Sequence, residues 1–315
     1  VAGQEPFAFS QIRLTAPKAA DGYALPPEGY APDVSFIELI QAEKSFEKSD
    51  PTLYPMSDRG NASTIPSDPV RVRLNTIGKN NWKYPGQWIS WETQVPADGY
   101  YFIGFRVRQN FLRGLPCTRR LYIDDELPFK EAADISFPYS VNWYTTAAGG
   151  SKPYLFFLEK GRHTITLEVS PGQIASTLKN TEDLIFRLNS VYRKIIMITG
   201  TTPDIYRNYY LDDEIPDLLP ELEDIADRLG NEITNVDTIA GAGGSEASTL
   251  SEMEEQLRSF IRDPDSIPER LLRFKENITS LGSWILRIRE QAVEIDYLIV
   301  ASPDHALPSG KTGFL

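Results

Sequence analysis

The stretch VEIDYLIVASPD, residues Val293–Asp304, decides the fold. Its apolar, β-branched composition is typical of a buried strand, yet it follows a region, 171–292, whose apolar side chains recur at helical spacing. A lone strand has unpaired backbone groups, so it needs a sheet to join. We therefore predict that this strand closes a β-domain that begins near Ile40, and that the helices are inserted just before it.

The region after Phe36 has the pattern of an antiparallel β-sandwich. Short apolar runs such as QWISWETQV, YYFIGFRVR and RHTITLEV alternate with Asp-Gly, Pro and Lys-Gly turn signals. Alternation within YYFIGFRV divides the strand between two faces. The predicted core face holds Tyr101, Ile103, Phe105 and Val107. The second face, with Tyr100, Phe102, Gly104 and Arg106, is not very polar, so we expect the inserted helices to cover it.

The region after Ser170 changes to a helical period. The clearest repeat steps by four and three residues and comprises Ile267, Leu271, Phe274, Ile278, Leu281, Ile285 and Ile288. TGTTPD and AGAGGSEAS interrupt the pattern between helices. This spacing predicts the seam of a helical bundle.

These patterns together predict an α+β fold in four parts. Residues 1–35 form an N-terminal strand, Phe7–Leu14, and a linker. Residues 36–170 plus 293–303 form a jelly-roll β-sandwich. Residues 171–292 form the inserted α-helical bundle, and residues 304–315 form a C-terminal tail.

The charge of the chain limits the partners it can have. The formal net charge is −12, and residues 171–315 hold 14 Lys and Arg against 25 Asp and Glu. A nucleic-acid partner requires a clustered basic face, and an anionic lipid surface attracts basic segments. We therefore predict neither partner. No apolar run approaches the length of a membrane helix, so we also predict no membrane insertion by this region.

The chain start and the single cysteine bear on the compartment. The sequence begins at Val1 without a basic-then-apolar signal pattern, so we expect an excised region of a longer chain. Cys117 cannot form an internal disulfide. One cysteine fits the cytosol and also fits the exterior of bacteria that do not use disulfides, so residue content alone leaves both open.

The order of five motifs resembles the carbohydrate-binding modules of families 6 and 35, which are galactose-binding-like jelly rolls. The motifs are IQAEKSF, GQWISWETQVPADGYYFIGFRVRQN, RRLYIDDELPF, YLFFLEKGRHTITLEV and EIDYLIVAS. Longer stretches, LNTIGKNNWKYPGQWISWE and LGSWILRIREQAVEIDYLIVASPD, resemble a module of the extracellular solute-binding lipoproteins of sugar ABC importers in Gram-positive bacteria. The resemblance implies a cell-surface location on a lipid-anchored parent protein, with a neighbouring solute-binding domain in the same polypeptide.

Aromatic residues in the loops are the candidate sugar ligands. A sugar site needs aromatic planes for the pyranose ring and hydrogen-bonding groups for its hydroxyls. The candidates are Trp82, Tyr84, Trp88, Asn142, Trp143 and Tyr144, and the resemblance adds Asn110 and Arg113. The alternative is that Trp88 and Trp91, on opposite faces of one strand, are core or helix-facing residues. The loop Ser57–Pro69 fits either a binding loop or a solvated excursion.

The resemblance also implies a structural calcium ion. Such modules hold calcium with oxygen ligands from the first and last strands. Glu43 and Asp296 match these positions, whereas Gln41 stands where a second Glu is common, which removes one charge. The alternative is that backbone donors satisfy Glu43 and Asp296.

Catalytic residues are poorly supplied. The chain has two histidines, His163 and His305, and Cys117 has no base nearby in sequence. The carboxylates of IDDE, Asp124–Glu126, fit a hairpin turn better than a glycosidase pair. We predict a non-catalytic carbohydrate-recognition module. The alternative is an interaction or spacer module whose acidic helical bundle docks a neighbouring domain and which has no sugar site.

Overall fold

The computed structural model describes residues 20–27, 32, 35–61, 63–68, 70–241 and 246–308. The predicted strand Phe7–Leu14 lies outside these residues. Within them no helix combines the length and the apolar character that crossing a membrane requires.

The described β-strands form two antiparallel sheets. The strands are β1 (Ile37–Gln41), β2 (Glu47–Lys48), β3 (Ile77–Gly78), β4 (Trp88–Val95), β5 (Gly99–Gln109), β6 (Cys117–Ile123), β7 (Ile135–Phe137), β8 (Ser140–Ala147), β9 (Leu155–Leu158), β10 (Gly161–Ser170) and β11 (Glu294–Ala301). The first sheet has the order β1-β11-β5-β8, with β3 also paired to β11 and β9 to β5. The second sheet has the order β2-β4-β10-β6-β7.

Strand β11 lies inside the first sheet. It pairs with β1, where Gln41 faces Tyr297, and with β5, where Phe105 faces Leu298. All of its residues are buried. A strand that is covered on both faces tolerates an unbroken apolar run. The prediction that VEIDYLIVASPD closes a sheet begun near Ile40 is confirmed.

The two faces of β5 are covered by different parts of the chain. Tyr101, Ile103, Phe105 and Val107 lie fully buried between the sheets, as predicted. On the other face, Phe102 packs in a small cluster that the helices do not enter. The side chains that cover this cluster are Ile37, Leu39, Ile65, Leu155 and Leu307. The expectation that the helices cover this face is therefore wrong.

The helices form a bundle at one end of the sandwich. They are α1 (Ala175–Thr199), α2 (Leu211–Glu214), α3 (Leu218–Ala240), α4 (Ser248–Arg262) and α5 (Leu271–Arg289). The predicted seam residues of α5 lie in one buried core with the apolar faces of α1, α3 and α4. The bundle lies at the end of the sandwich because α1 leaves from the end of β10 and α5 returns at the start of β11.

The loop 110–116 joins the sandwich to the bundle. Leu112 and Leu115 belong to the core of the bundle. The Gln109 side-chain amide donates to the carbonyls of Leu112 (3.1 Å) and Leu115 (2.8 Å). On the bundle side, the Gln291 amide oxygen accepts from Thr118 N (3.1 Å) and its nitrogen donates to the Ile288 carbonyl (2.8 Å). Buried amides with satisfied donors and acceptors hold this joint in one arrangement.

The position of β11 gives a stability prediction. Leu298→Ala removes a fully buried side chain between the sheets and is expected to lower the free energy of unfolding by about 2–5 kcal/mol. Leu286→Ala, on the exposed side of α5, is the matched control and is expected to cost less than about 0.5 kcal/mol. Urea unfolding followed by circular dichroism measures both. Equal losses for the two variants would contradict the central position of β11.

Candidate functional site

Trp82 lies in the core of the sandwich and not in a binding loop. Its side chain is fully buried, and its ring meets Trp91 edge-on with 6.3 Å between ring centroids. Its indole nitrogen donates to the Gln87 carbonyl (3.1 Å), and the guanidinium carbon of Arg119 lies 4.2 Å from its ring centre. The prediction that Trp82 contacts a ligand is therefore corrected, because both ring faces are packed against protein.

Trp143 and Tyr144 are also turned toward protein groups. Trp143 is 6% exposed, donates to the Asp58 carboxylate (2.8 Å), and has the Arg108 guanidinium carbon 4.8 Å from its ring centre. Tyr144 packs beside the sandwich core and donates its hydroxyl to the Pro138 carbonyl (2.9 Å). Burial raises the pKa of Tyr144 above its ordinary value. Trp143 is therefore not open to a ligand, and Tyr144 is partly buried.

The remaining loop candidates surround the joint with the bundle. Tyr84 is 52% exposed, and Asn110, Arg113 and Asn142 are exposed. The Lys83 ammonium lies 5.0 Å from the Tyr84 ring centre and 2.7 Å from the Glu290 carboxylate. At this end of the sandwich, the structure therefore leaves one predicted aromatic ring, Tyr84, more than half exposed.

Trp88 lies on the outer face of the second sheet, where the strand register builds a groove. Trp88 on β4 faces Glu168 on β10, and Ser90 faces Thr166 two residues further along the same strands. The hydroxyls of Ser90 and Thr166 are 2.6 Å apart and both residues are buried, so they form the floor. The resulting cavity, here called the Trp88 groove, has a volume of about 330 Å³. Its lining residues are Glu47, Trp88, Ser90, Tyr122, Asp125, Thr166 and Glu168.

Tyr122 and its partners form the far wall of the Trp88 groove. Tyr122 pairs with Thr166, and its hydroxyl donates to Glu168 Oε2 (2.7 Å), which also accepts from Arg120 (3.3 Å). Burial raises the pKa of Tyr122, so its hydroxyl is neutral and can donate. Trp88 on β4 and Tyr122 on β6 are two strand spacings apart across β10 and are offset by two residues along the strands, so their Cα atoms are about 12 Å apart.

Sequence reasoning identified Trp88 but missed Tyr122, Glu47 and Glu168. Alternation within RRLYID places Tyr122 on the face opposite Leu121, and this signal is present in the sequence. The contact between Tyr122 and Glu168 depends on the register of β6 against β10, which periodicity does not supply.

The IDDE turn forms the rim of the Trp88 groove. Asp124 and Asp125 have φ values of 51° and 64°, a left-handed turn conformation that Asp tolerates. His163 Nδ1 lies 2.6 Å from Asp124 Oδ2, and its Nε2 lies 2.7 Å from the Glu159 carbonyl. Burial lowers the pKa of His163, but these two hydrogen bonds outweigh burial and raise it above 6.5. Burial likewise raises the pKa of Asp124, but the hydrogen bonds with His163 and with Thr164 together outweigh burial and lower the pKa.

The predicted calcium ligands lie on the outer face of the first sheet, on the side of the sandwich opposite the Trp88 groove. Asp296 is fully buried, with Arg106 Nε 2.9 Å from Oδ2 and the Ile65 amide donating to Oδ1 (3.1 Å). Burial raises the pKa of Asp296 to about 7, although Arg106 acts in the other direction. Burial also raises the pKa of Glu43. Gln41 Oε1 and Glu43 Oε2 are buried without a hydrogen-bond donor.

These groups fit a hard cation in part. Two orphaned oxygens, from an amide and a carboxylate, are the ligand types that calcium prefers. Arg106 already supplies a positive charge to Asp296. The residues that the structure describes contain no group of three or more His, Cys, Asp or Glu side chains suited to a metal.

Cys117 is an inert thiol in this structure. It is fully buried in the joint and donates to the Ala292 carbonyl (3.2 Å). Burial raises the pKa of Cys117 to about 12, so the thiolate is not populated at neutral pH.

A family model matches the helical part of the chain. Residues 176–288 match the family described as bacterial solute-binding protein, 4-helix bundle domain. The predicted likeness of the helical region to a solute-binding protein is thereby confirmed. A comparison with curated proteins gave no match.

Several solved structures are similar to part of this chain. A family 35 carbohydrate-binding module from Clostridium thermocellum is 16% identical with a TM-score of 0.31, over 43% of this chain and 88% of that one. The CBM35 of Abf62 from Cellvibrio japonicus is 14% identical with a TM-score of 0.29, over 43% and 83%. A ruminal GH26 endo-β-1,4-mannanase is 16% identical with a TM-score of 0.27, over 43% and 23%. This chain therefore spans less than a quarter of that mannanase.

The ion pair at the rim predicts a pH-dependent stability. Because the pKa of His163 is raised in the folded state, its ion pair contributes fully to the free energy of unfolding below pH 6.5. This contribution is lost as the pH rises through the pKa of His163 in the folded protein. His163→Gln is expected to lower the free energy of unfolding by up to about 1 kcal/mol at pH 5.5 and by less at pH 9. Urea unfolding at the two pH values measures this. Arg162→Gln, which breaks a neighbouring pair with Glu92, should show the same loss at both.

Proposed function

We propose that this chain is a non-catalytic module that recognises carbohydrate at the Trp88 groove. The observation that carries the proposal is the placement of Trp88 and Tyr122 on either side of a floor made by Ser90 and Thr166. Aromatic side chains bind the apolar faces of sugar rings, and small hydroxyl residues leave room for a ring between them.

The polar groups of the groove suit sugar hydroxyls. Glu47, Asp125 and Glu168 line it and supply carboxylate acceptors, while the Tyr122 hydroxyl supplies a donor. Glu168 is held by Tyr122 and by Arg120, so its orientation is fixed before a ligand arrives. A carboxylate held by a cation and a hydroxyl suits hydrogen bonding better than proton transfer, which supports recognition without catalysis.

The helical half of the chain supports a setting for the module. The match of residues 176–288 to a solute-binding protein domain supports a place in an extracellular solute-binding protein, and the sequence motifs support a lipoprotein of a sugar ABC importer. In that setting the module holds glycan near the transporter and adjoins the solute-binding domain of the same polypeptide. Its partners are then an oligo- or polysaccharide and that neighbouring domain.

Trp88→Ala tests the proposal. Loss of a stacking ring is expected to weaken saccharide binding at least tenfold, and Tyr122→Phe, which removes the donor alone, is expected to weaken it less. Isothermal titration with the ligands found on a glycan array measures both. Tyr84→Ala is the matched control, because it removes the exposed aromatic ring at the loop end. Binding that is lost in Tyr84→Ala and kept in Trp88→Ala would place the site in the loops and refute the groove.

We also propose that Gln41, Glu43 and Asp296 hold a structural calcium ion. Millimolar calcium is then expected to raise the melting temperature, because a ligand that binds only the folded state adds about 2.7 kcal/mol at one hundred times its Kd. Glu43→Gln is expected to abolish the increase, and Glu255→Gln on the exposed side of α4 is expected to leave it intact. Differential scanning calorimetry with calcium or with a chelator measures this. An equal melting temperature in both conditions would exclude the ion.

A spacer or docking role is the second candidate. The specific observation is that the bundle ends in exposed apolar side chains at its far end, including Met197, Ile205, Tyr206 and Tyr210. Absence of saccharide binding on a broad glycan panel would favour this role. Association with the neighbouring domain that is lost in Tyr206→Ser and kept in Phe186→Ser, on the side of α1, would establish it.

A further inference from the structure

A cleft of about 230 Å³ lies in the loop segment that crosses the outer face of the first sheet, opposite the Trp88 groove. Its lining residues are Ser57, Asp58, Arg59, Asn61, Pro66, Ser67, Asp68, Arg71, Arg73 and Asn75. Three of these are arginines, in a chain whose net charge is −12. This cavity is here called the arginine cleft.

The two aspartates of the arginine cleft both have internal partners. Asp58 lies 3.3 Å from Arg108 and accepts from the Trp143 indole (2.8 Å) and the Gly60 amide (2.8 Å). Asp68 accepts from two backbone amides at 2.9 Å and lies 3.5 Å from Arg73. The Arg71 and Val70 amides lower the pKa of Asp68, which keeps it ionised as the partner of Arg73. Asp68 is therefore matched by Arg73, whereas Asp58 shares Arg108 with Glu294, whose carboxylate lies 2.7 Å from the same guanidinium.

Arg59 and Arg71 are left over from this pairing. Neither side chain has a hydrogen bond or an ion pair with any residue that the structure describes, and both are exposed. Most other arginines of the described chain have a carboxylate, carbonyl or hydroxyl partner, as in the pairs made by Arg106 and Arg187. The arginine cleft thus holds two uncompensated guanidinium groups.

The wall of the cleft is preformed and includes an unused hydroxyl. Asn75 is buried, donates to the carbonyls of Asp58 (3.1 Å) and Pro66 (3.2 Å), and accepts from the Asp58 amide (2.8 Å), which ties the two sides of the cleft together. Ser57 Oγ is buried without a hydrogen-bond partner. A buried hydroxyl without a partner costs free energy unless a ligand or water satisfies it.

We propose that the arginine cleft binds a phosphate group carried by a sugar or a glycan. A phosphate monoester carries about −1.5 to −2 charges near pH 7, so it is attracted by the two guanidinium groups that have no carboxylate partner. Guanidinium forks bind phosphate oxygens in pairs, and Ser57 Oγ can donate to a third oxygen. This site is independent of the Trp88 groove, so an uncharged saccharide and a phosphate-bearing ligand bind at different places.

Calorimetric titration of the whole chain with inorganic phosphate, glucose 6-phosphate, glucuronate and glucose tests the proposal. Glucose 6-phosphate is expected to bind more tightly than glucuronate, and its affinity is expected to fall from pH 7.5 to pH 5.5 as the phosphate becomes a monoanion. Arg59→Gln and Arg71→Gln are each expected to weaken it at least tenfold. Arg193→Gln, at an exposed arginine of α1, is the matched control and is expected to have no effect.

The outcomes separate this site from the proposed carbohydrate site. Phosphate binding that survives Trp88→Ala and is lost in Arg71→Gln supports the arginine cleft, whatever the result for uncharged saccharides. Inorganic phosphate that binds as tightly as glucose 6-phosphate would overturn the role of the sugar. Glucuronate binding equal to that of glucose 6-phosphate would overturn the assignment to a dianion. Binding unchanged in both arginine variants, or no binding of any anion, would overturn the site.

Discussion

The pairing of β11 between β1 and β5 is the constraint on which the remaining structure depends. Strands β1 and β11 come from opposite ends of the described chain, and the buried backbone groups of β11 can be satisfied only by strand partners. The bundle must therefore leave the sandwich at the end of β10 and return at the start of β11. Because β10 belongs to the second sheet and β11 to the first, both sheets anchor the bundle at one end of the sandwich.

Because the bundle is anchored there, the loops at this end of the sandwich are packed against protein. Leu112 and Leu115 are buried in the bundle, and Trp82 covers the guanidinium of Arg119, which the described residues leave without a carboxylate partner. Burial lowers the pKa of Arg119 to about 9, so the group is still charged at neutral pH, and carbonyl oxygens and the Trp82 ring stabilise it. Aromatic residues that would suit a ligand are thus used in the joint, and the open aromatic groove lies on the face of the second sheet.

The sequence predicted those parts of the fold that depend on periodicity. Alternation placed Tyr101 and Phe105 in the core, and helical spacing predicted the seam that includes Leu281. Aromatic residues outside a regular repeat have no such signal, so Trp82 and Trp143 could not be distinguished from exposed ligands. The side chains that cover the outer face of the first sheet, and the groove at Trp88, both depend on contacts between distant segments of the chain. Local sequence patterns do not encode such contacts.

The electrostatics of the two faces differ in a way that follows from their partners. On the second sheet, Glu168 is matched by Arg120, and the other carboxylates of the groove favour neutral, hydroxyl-rich ligands over anions. On the first sheet, Asp68 is matched by Arg73, Asp58 shares Arg108 with Glu294, and two further arginines are free to attract an anion. The two sites lie on the outer faces of two sheets that pack about 10 Å apart, so they face away from each other. A single small ligand therefore cannot occupy both, and a glycan held at one face leaves the other open.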